Sequence, residues 1–184
     1  THIGRLTANL LRPLPIGTIE IEVEIEHRGR SAAHYSARLW GGGKQLARFT
    51  ALAQREHALA LPAVLDGHPL PQAPRPPAAS VPDRMPFGYD VPSYADLVEN
   101  RIAAGHFFRG RCAAWFRPRA PMVEGEAPSG YQRVAVAADS GNGVSAVLDF
   151  GRWAFVNADL TIHLLRRPLG EWICLDARTL LAPN

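Results

Sequence analysis

Between Thr18 and Glu26 the chain alternates without a break, Ile19, Ile21, Val23 and Ile25 interleaved with Glu20, Glu22, Glu24 and Glu26. A period of two belongs to a strand, because successive side chains leave a pleated backbone on opposite faces. The pattern predicts that the isoleucines and valine face a core. The four glutamates are then a solvated face beside arginines on neighbouring strands, rather than a cation site. Residues 31–40 and 44–55 give two more strands, and Gly41-Gly42-Gly43 between them is a hairpin turn by composition. A phosphate loop would need a Lys-Ser/Thr pair and a helix after the glycines, and neither follows.

From Leu61 to Pro92 the periodicity stops. Pro69, Pro71, Pro74, Pro76 and Pro77 remove backbone donors and fix φ, which predicts a linker or an extended strap over residues 61–95. Proline-rich recognition by a partner is the alternative reading of the same composition. Beyond it, residues 97–103 and 106–117 read as strands, the second ending at Pro118. Ser129-Gly130-Tyr131-Gln132 has capping-box spacing. A helix over about 130–140 follows, apolar from Val134 to Ala138 and stopped by Gly141-Asn142-Gly143. Because it is apolar nearly all round, it is expected to be buried. Further strands are expected over 153–166 and 171–181.

A self-match ties the two halves together. Leu6-Thr7-Ala8-Asn9-Leu10-Leu11-Arg12 recurs as Leu160-Thr161-Ile162-His163-Leu164-Leu165-Arg166, identical at five of seven positions. Pro13 and Gly17 follow one copy, Pro168 and Gly170 the other, and each leads into another β run. A duplicated module is the simplest source of a match with the same context on both sides. The expected division is residues 1–60 as the later part of a first module, 61–95 as linker, and 96–184 as a second module. The two motifs are expected to overlie one another on adjacent sheets. The strands and helix before the second motif have no counterpart before the first, and the first motif has two more strands after it than the second. The expectation is that each module extends beyond the sequence printed here, since bare sheet edges would expose core.

Composition narrows the function. A net charge of +3, with bases interleaved among acids, lacks the basic stripe of a nucleic-acid binder. No apolar run approaches the roughly 18 residues of a membrane helix. Thr1-His2-Ile3-Gly4-Arg5 has no signal-peptide layout, so the expected location is the cytoplasm. Cys112 and Cys174 lie in apolar runs and read as buried thiols, with a single disulfide as the alternative. Without CxxC or HxxxH spacing no metal site is expected.

Ala114-Trp115-Phe116-Arg117, Ala137-Ala138-Asp139-Ser140-Gly141, the run from Phe155 to Leu164 and the run from Gly170 to Thr179 together resemble acyl-CoA thioesterase II and its thioesterase-like relatives. In the first half, Leu10 to Pro15 and Gly29-Arg30-Ser31 are similar to the same family. The resemblance covers nearly all of the chain outside the proline strap. It implies an α+β tandem (double) hotdog, an antiparallel sheet wrapped round a central helix, occurring twice. It also implies hydrolysis of acyl-CoA thioesters without metal or organic cofactor, by a homo-oligomer. In that family an aspartate, a threonine or serine, and a glutamine hold the attacking water, and backbone amides near the start of a central helix polarise the carbonyl. Asp159 corresponds to the aspartate and Thr179 to the hydroxyl. The glutamine belongs to a strand that would follow residue 184. Arg5 stands where the second copy has Asp159, so one active module is expected.

Each of these residues also has a plain structural reading. A lone carboxylate at the mouth of a strand caps turns, and a strand threonine is a β-former. Asp139 at the unfavourable end of a helix dipole is a second carboxylate candidate, or a turn partner. His163 reads as a satisfied histidine near the core. Arg109, Arg111, Arg117 and Arg119 share one strand parity, which makes them a solvated face or a phosphate grip. Trp115, Phe116, Trp153 and Phe155 read as core and sheet contacts. A non-catalytic acyl-CoA or acyl-chain binding module is the alternative to the hydrolase. A hotdog dehydratase or hydratase would need a catalytic His with an acidic partner, and no convincing pair is present.

Overall fold

Strands β1 (His2–Leu10), β2 (Glu20–Arg28), β3 (Ala32–Gly41) and β4 (Lys44–Gln54) open the computed structural model, which describes residues 1–58, 60, 71–85 and 93–182. After them come β5 (Val81–Asp83), α1 (Tyr94–Leu97), β6 (Val98–Ala104), β7 (Cys112–Pro118), α2 (Gly130–Asp139), α3 (Gly141–Val144), β8 (Asp159–His163) and β9 (Ile173–Ala177). Two compact units result. One comprises Thr1–His68 with Asn157–Arg167, the other Pro69–Val156 with Pro168–Asn184.

In the first unit five antiparallel strands run in the order β2-β3-β4-β1-β8. The expected hairpin joins β3 to β4 through Gly42 and Gly43, both at positive φ (56° and 72°), where a side chain would be strained. Alternation puts Val23, Ala37, Phe49, Ala8 and Leu160 in one transverse row of one face, by register across all five strands. The opposite face is polar, with Glu22 opposite Arg38 and the Trp40 indole donating to Glu22 at 2.9 Å. The expected burial of the β2 apolar row is corrected: every residue of β2 is exposed, Val23 at 68%. β2 is an edge strand, and nothing among the described residues covers its apolar side.

The two repeat motifs do not lie on adjacent sheets. They pair directly, β1 against β8, with Arg5 opposite His163, Thr7 opposite Thr161 and Asn9 opposite Asp159. Thr7 thus meets its own repeat equivalent, and the two hydroxyls are 3.2 Å apart. Leu10 N donates to Ala158 O and Leu164 N to Gly4 O, both at 2.9 Å, which is one bond and its symmetry mate. A local two-fold axis therefore passes between the threonines, as in an isologous dimer interface. This pairing places residues 157–167 in the first unit.

The second unit is a sheet in the order β5-β6-β7-β9 with α2 packed on β7 and β9. Its core gathers Val98, Ile102, Ala114, Phe116, Ala137 and Val144. The capping box forms as the spacing predicts, Gln132 N donating to Ser129 Oγ (3.2 Å) and Ser129 N to Gln132 Oε1 (2.7 Å). The helix is half-buried rather than buried, with Ala137 alone fully enclosed, because its packing lies on one side. The predicted strand 106–117 begins only at Cys112. Gly105 (φ 74°) and Phe108 (φ 59°) turn the chain first, and a Cβ at Gly105 would sit 2.5 Å from Arg111 O. The strands expected over 153–166 and 171–181 shorten to β8 and β9. Of the proline segment, residues 61–70 and 86–92 lie outside the described residues. Its described part runs as a strap over the outer sheet face, where the Trp115 indole donates to Arg75 O at 2.8 Å and Arg101 to Pro77 O at 3.1 Å. It then supplies β5 as an edge strand.

Asn100, on the core side of β6 and 2% exposed, has no hydrogen-bond partner for either amide atom. A buried amide left unmatched costs more than an apolar group of the same shape. Asn100→Leu is therefore expected to stabilise the fold by about 1 kcal/mol, read as a higher urea midpoint; an unchanged or lower midpoint would show that the amide is satisfied. Among the described residues no helix is long and apolar enough to cross a membrane.

Candidate functional site

The C-terminal end of α2 concentrates the hydroxyl chemistry of the second unit. From α1, the Tyr94 phenol donates to Val136 O at 3.1 Å and lies 2.7 Å from Ser140 Oγ. Burial pushes this phenol up. The Ser140 hydrogen bond opposes the rise and the nearby Asp139 carboxylate adds to it. Asp139 itself is the last residue of α2 and is exposed. A carboxylate at this end faces the negative pole of the helix, so its position is not explained by helix stability.

One turn further on, Ser145 is 1% exposed and donates to Gly141 O at 3.1 Å. Its single proton is thereby used, so the Thr179 hydroxyl 2.9 Å away donates to Ser145 Oγ. Thr179 then presents lone pairs, not a proton, to anything else that approaches. It lies just past β9 instead of within a strand, which removes the β-former reading for it. Tyr94, Ser140 and Ser145 were not singled out from the sequence as site residues. They meet their partners through turns and across 34 to 46 positions, beyond any periodic signal.

Asp159, the first residue of β8, belongs to the first unit. It is exposed on the polar face, opposite Asn9, whose side-chain oxygen accepts from Arg48 at 2.9 Å. His163 is exposed on the same face, so the core-histidine reading is corrected by the parity of β8 itself. The family's carbonyl-polarising amides cannot come from the start of α2 if Asp139 works at its end. Ten residues at 1.5 Å per residue separate them by about 15 Å.

The four arginines of common parity do not form one row, because β7 starts after Arg111 and ends before Arg119. Arg111 pairs with Asp176 at 2.8 Å. Glu99 binds both Arg101 (2.9 Å) and Arg117 (2.6 Å), and their guanidiniums lie 5.0 and 4.8 Å from the Trp172 ring centre. Of the aromatics, Phe116 is fully buried, Trp153 is exposed and Phe155 stacks on Phe150. Cys112 and Cys174 are free and face opposite sides of the sheet, since Cys112 pairs with Ala177 and Cys174 with Trp115. Burial pushes both thiols up to about 11, which leaves them protonated and poor nucleophiles. Among the described residues no cluster of acids, histidines and cysteines could hold a metal ion.

The architecture is that of hotdog proteins. A hotdog-fold protein of unknown function from Alicyclobacillus acidocaldarius superposes with a TM-score of 0.58 at 17% identity, covering 90% of this chain and 60% of that one. A protein provisionally assigned as a thioesterase II from Thermobifida fusca gives 0.67 at 19%, covering 94% and 66%. An acyl-CoA thioesterase II from Mycobacterium marinum gives 0.64 at 16%, covering 98% and 69%. The chain thus spans less than two thirds of the length of the first two. Comparison with curated protein sequences gave no significant match. The sequence matches the acyl-CoA thioesterase C-terminal domain over residues 70–184 and the N-terminal domain over residues 1–54, and the chain belongs to this family.

Proposed function

We propose that the protein hydrolyses acyl-CoA thioesters of the cytoplasm to free acid and coenzyme A, using a water activated by an aspartate. The observation that carries the reading is the match to both acyl-CoA thioesterase domains; Asp139, beside Ser140 at the end of α2, is taken as the carboxylate, and Thr179, whose hydroxyl meets Ser145 at 2.9 Å, as the hydroxyl. In this reading the carboxylate takes the proton of the attacking water and the threonine oxygen orients its second hydrogen. Its oxygen attacks the thioester carbonyl, the tetrahedral adduct collapses, and the C–S bond breaks to release a thiolate. A thiol with an ordinary pKa of about 8.5 is a good leaving group and needs no strong acid beside it. Asp159, to which the resemblance points, is the competing carboxylate. It stands on the exposed polar face of the first unit, in a row with the hydroxyls of Thr7 and Thr161.

The test is thiol release from a panel of acyl-CoA esters of increasing chain length. Release from at least one ester is expected. No release from any of them, with binding retained, would replace hydrolysis by an acyl-CoA binding role.

A further inference from the structure

Three arginines line one cleft at the exit of β7. Arg117, Arg119 and Arg133 line a space of about 420 Å³ together with Pro118, Pro121 and Glu171. Arg117 is neutralised, by Glu99 at 2.6 Å and more loosely by Glu171 at 3.4 Å. The other two are not. Arg133 donates to the Gly170 carbonyl at 3.2 Å, and neither it nor Arg119 has an ion pair among the described residues. Arg119 acts on Asp96 only at a distance, helping to hold that carboxyl low after its bonds to Ser93. Arg133 also sits in the opening turns of α2, where the helix dipole disfavours a cation. Two guanidiniums without an ion pair thus line the cleft beside a third, one of them at the end of a helix that favours an anion.

We propose that this cleft binds a phosphate dianion. A dianion matches the two unmatched guanidiniums, and its oxygens suit their planar forks in a way a single carboxylate does not. The prolines fix the walls, so little ordering remains to oppose binding. The phosphate is either free or part of the nucleotide end of an acyl-CoA. The second source rests on the hydrolysis reading above; the site itself does not.

Calorimetric titration with inorganic phosphate and with adenosine 3′,5′-bisphosphate tests it. Wild-type protein is expected to bind at least one probe at low salt. Arg119→Gln/Arg133→Gln is expected to weaken that binding by about tenfold or more while the melting temperature of the unliganded protein holds or rises, since an unfavourable cation leaves the start of α2. Arg119→Gln alone gives a partial loss and serves if the double variant does not fold, since its side chain is exposed. Glu171→Gln removes the competing carboxylate and is expected to tighten binding, a gain that loss of structure would not produce. Preference for the bisphosphate assigns the site to a nucleotide; equal or better binding of inorganic phosphate assigns it to the free ion. Failure of wild type to bind either probe, or unchanged affinity in the arginine variants, overturns the proposal. Thiol release plays no part in these measurements, so the hydrolysis reading stands or falls separately.

Discussion

Asp139→Asn is expected to lower acyl-CoA turnover by roughly 10²–10⁴, the usual worth of a positioned general base. The substitution is nearly isosteric and keeps a hydrogen-bonding side chain, so the fold should survive. Its effect on stability has a definite sign. Removing a negative charge from the C-terminal end of a helix relieves an unfavourable interaction of about 0.3–1 kcal/mol, so the melting temperature should hold or rise slightly. A purely structural aspartate bonded to its turn would give the opposite pattern, with stability lost and turnover per folded molecule unchanged. Binding of the ester should persist, because the lost interaction acts chiefly in the transition state. Asp159→Asn, measured beside it, is expected to leave turnover near wild type. If turnover collapses in Asp159→Asn and survives in Asp139→Asn, the water belongs to the strand carboxylate and the hydroxyl network is structural.

The largest expected stability effect falls on Glu99. One carboxylate oxygen accepts from Arg101 Nε (3.1 Å) and Nη2 (2.9 Å), the other from Arg117 Nε (3.2 Å) and Nη2 (2.6 Å). The side chain is 16% exposed, which limits solvent screening. Glu99→Gln keeps one acceptor and turns the other position into a donor facing a guanidinium. The expected cost at neutral pH is about 1.5–3 kcal/mol, the range for hydrogen bonds to charged groups. The pH dependence follows from the direction of the shift. The Arg117 hydrogen bonds hold the Glu99 carboxyl below its ordinary 4.5, with Arg101 adding to them and burial opposing. Its stabilisation is therefore complete above 4.5 and disappears as pH falls through the lower folded value. Urea midpoints of wild type and variant should differ most at pH 7 and converge under acid. A gap that stays constant into acid would assign the loss to packing against Trp172 instead of charge.

Local signals carried far in this chain. Ser129 and Gln132 lie three positions apart, so their reciprocal bonds were legible from spacing, and Gly42-Gly43 announced a turn that only residues without Cβ form easily. The motif shared by Leu6–Arg12 and Leu160–Arg166 announced a duplication. Less legible was anything decided by what lies opposite. Alternation in β2 separated apolar from acidic sides correctly, yet periodicity records which side is apolar, not whether anything covers it. The parity of Arg109 to Arg119 suggested one row, but Gly105 and Phe108 bend the chain before Cys112 and only Arg117 lies in the strand. At the candidate site, Asp139 and Thr179 were visible as residue types. The tyrosine and serines found beside them were hidden, because hydroxyls have no period and their partners are distant in the chain.

The meeting of Thr7 with Thr161 bears on how such a chain diversifies. When two identical subunits meet on a two-fold axis, every substitution appears on both sides at once, and a charge that suits one partner must also suit its mirror position. Fusing the copies lifts that constraint while the tether keeps each half at a high effective concentration for the other. The positions flanking the axis carry the mark of that freedom. Arg5 and Asp159 occupy equivalent places with opposite charge, and Asn9 and His163 are different residue types at another such pair. The two sides of the axis can thus change independently, a freedom closed to a strict homodimer.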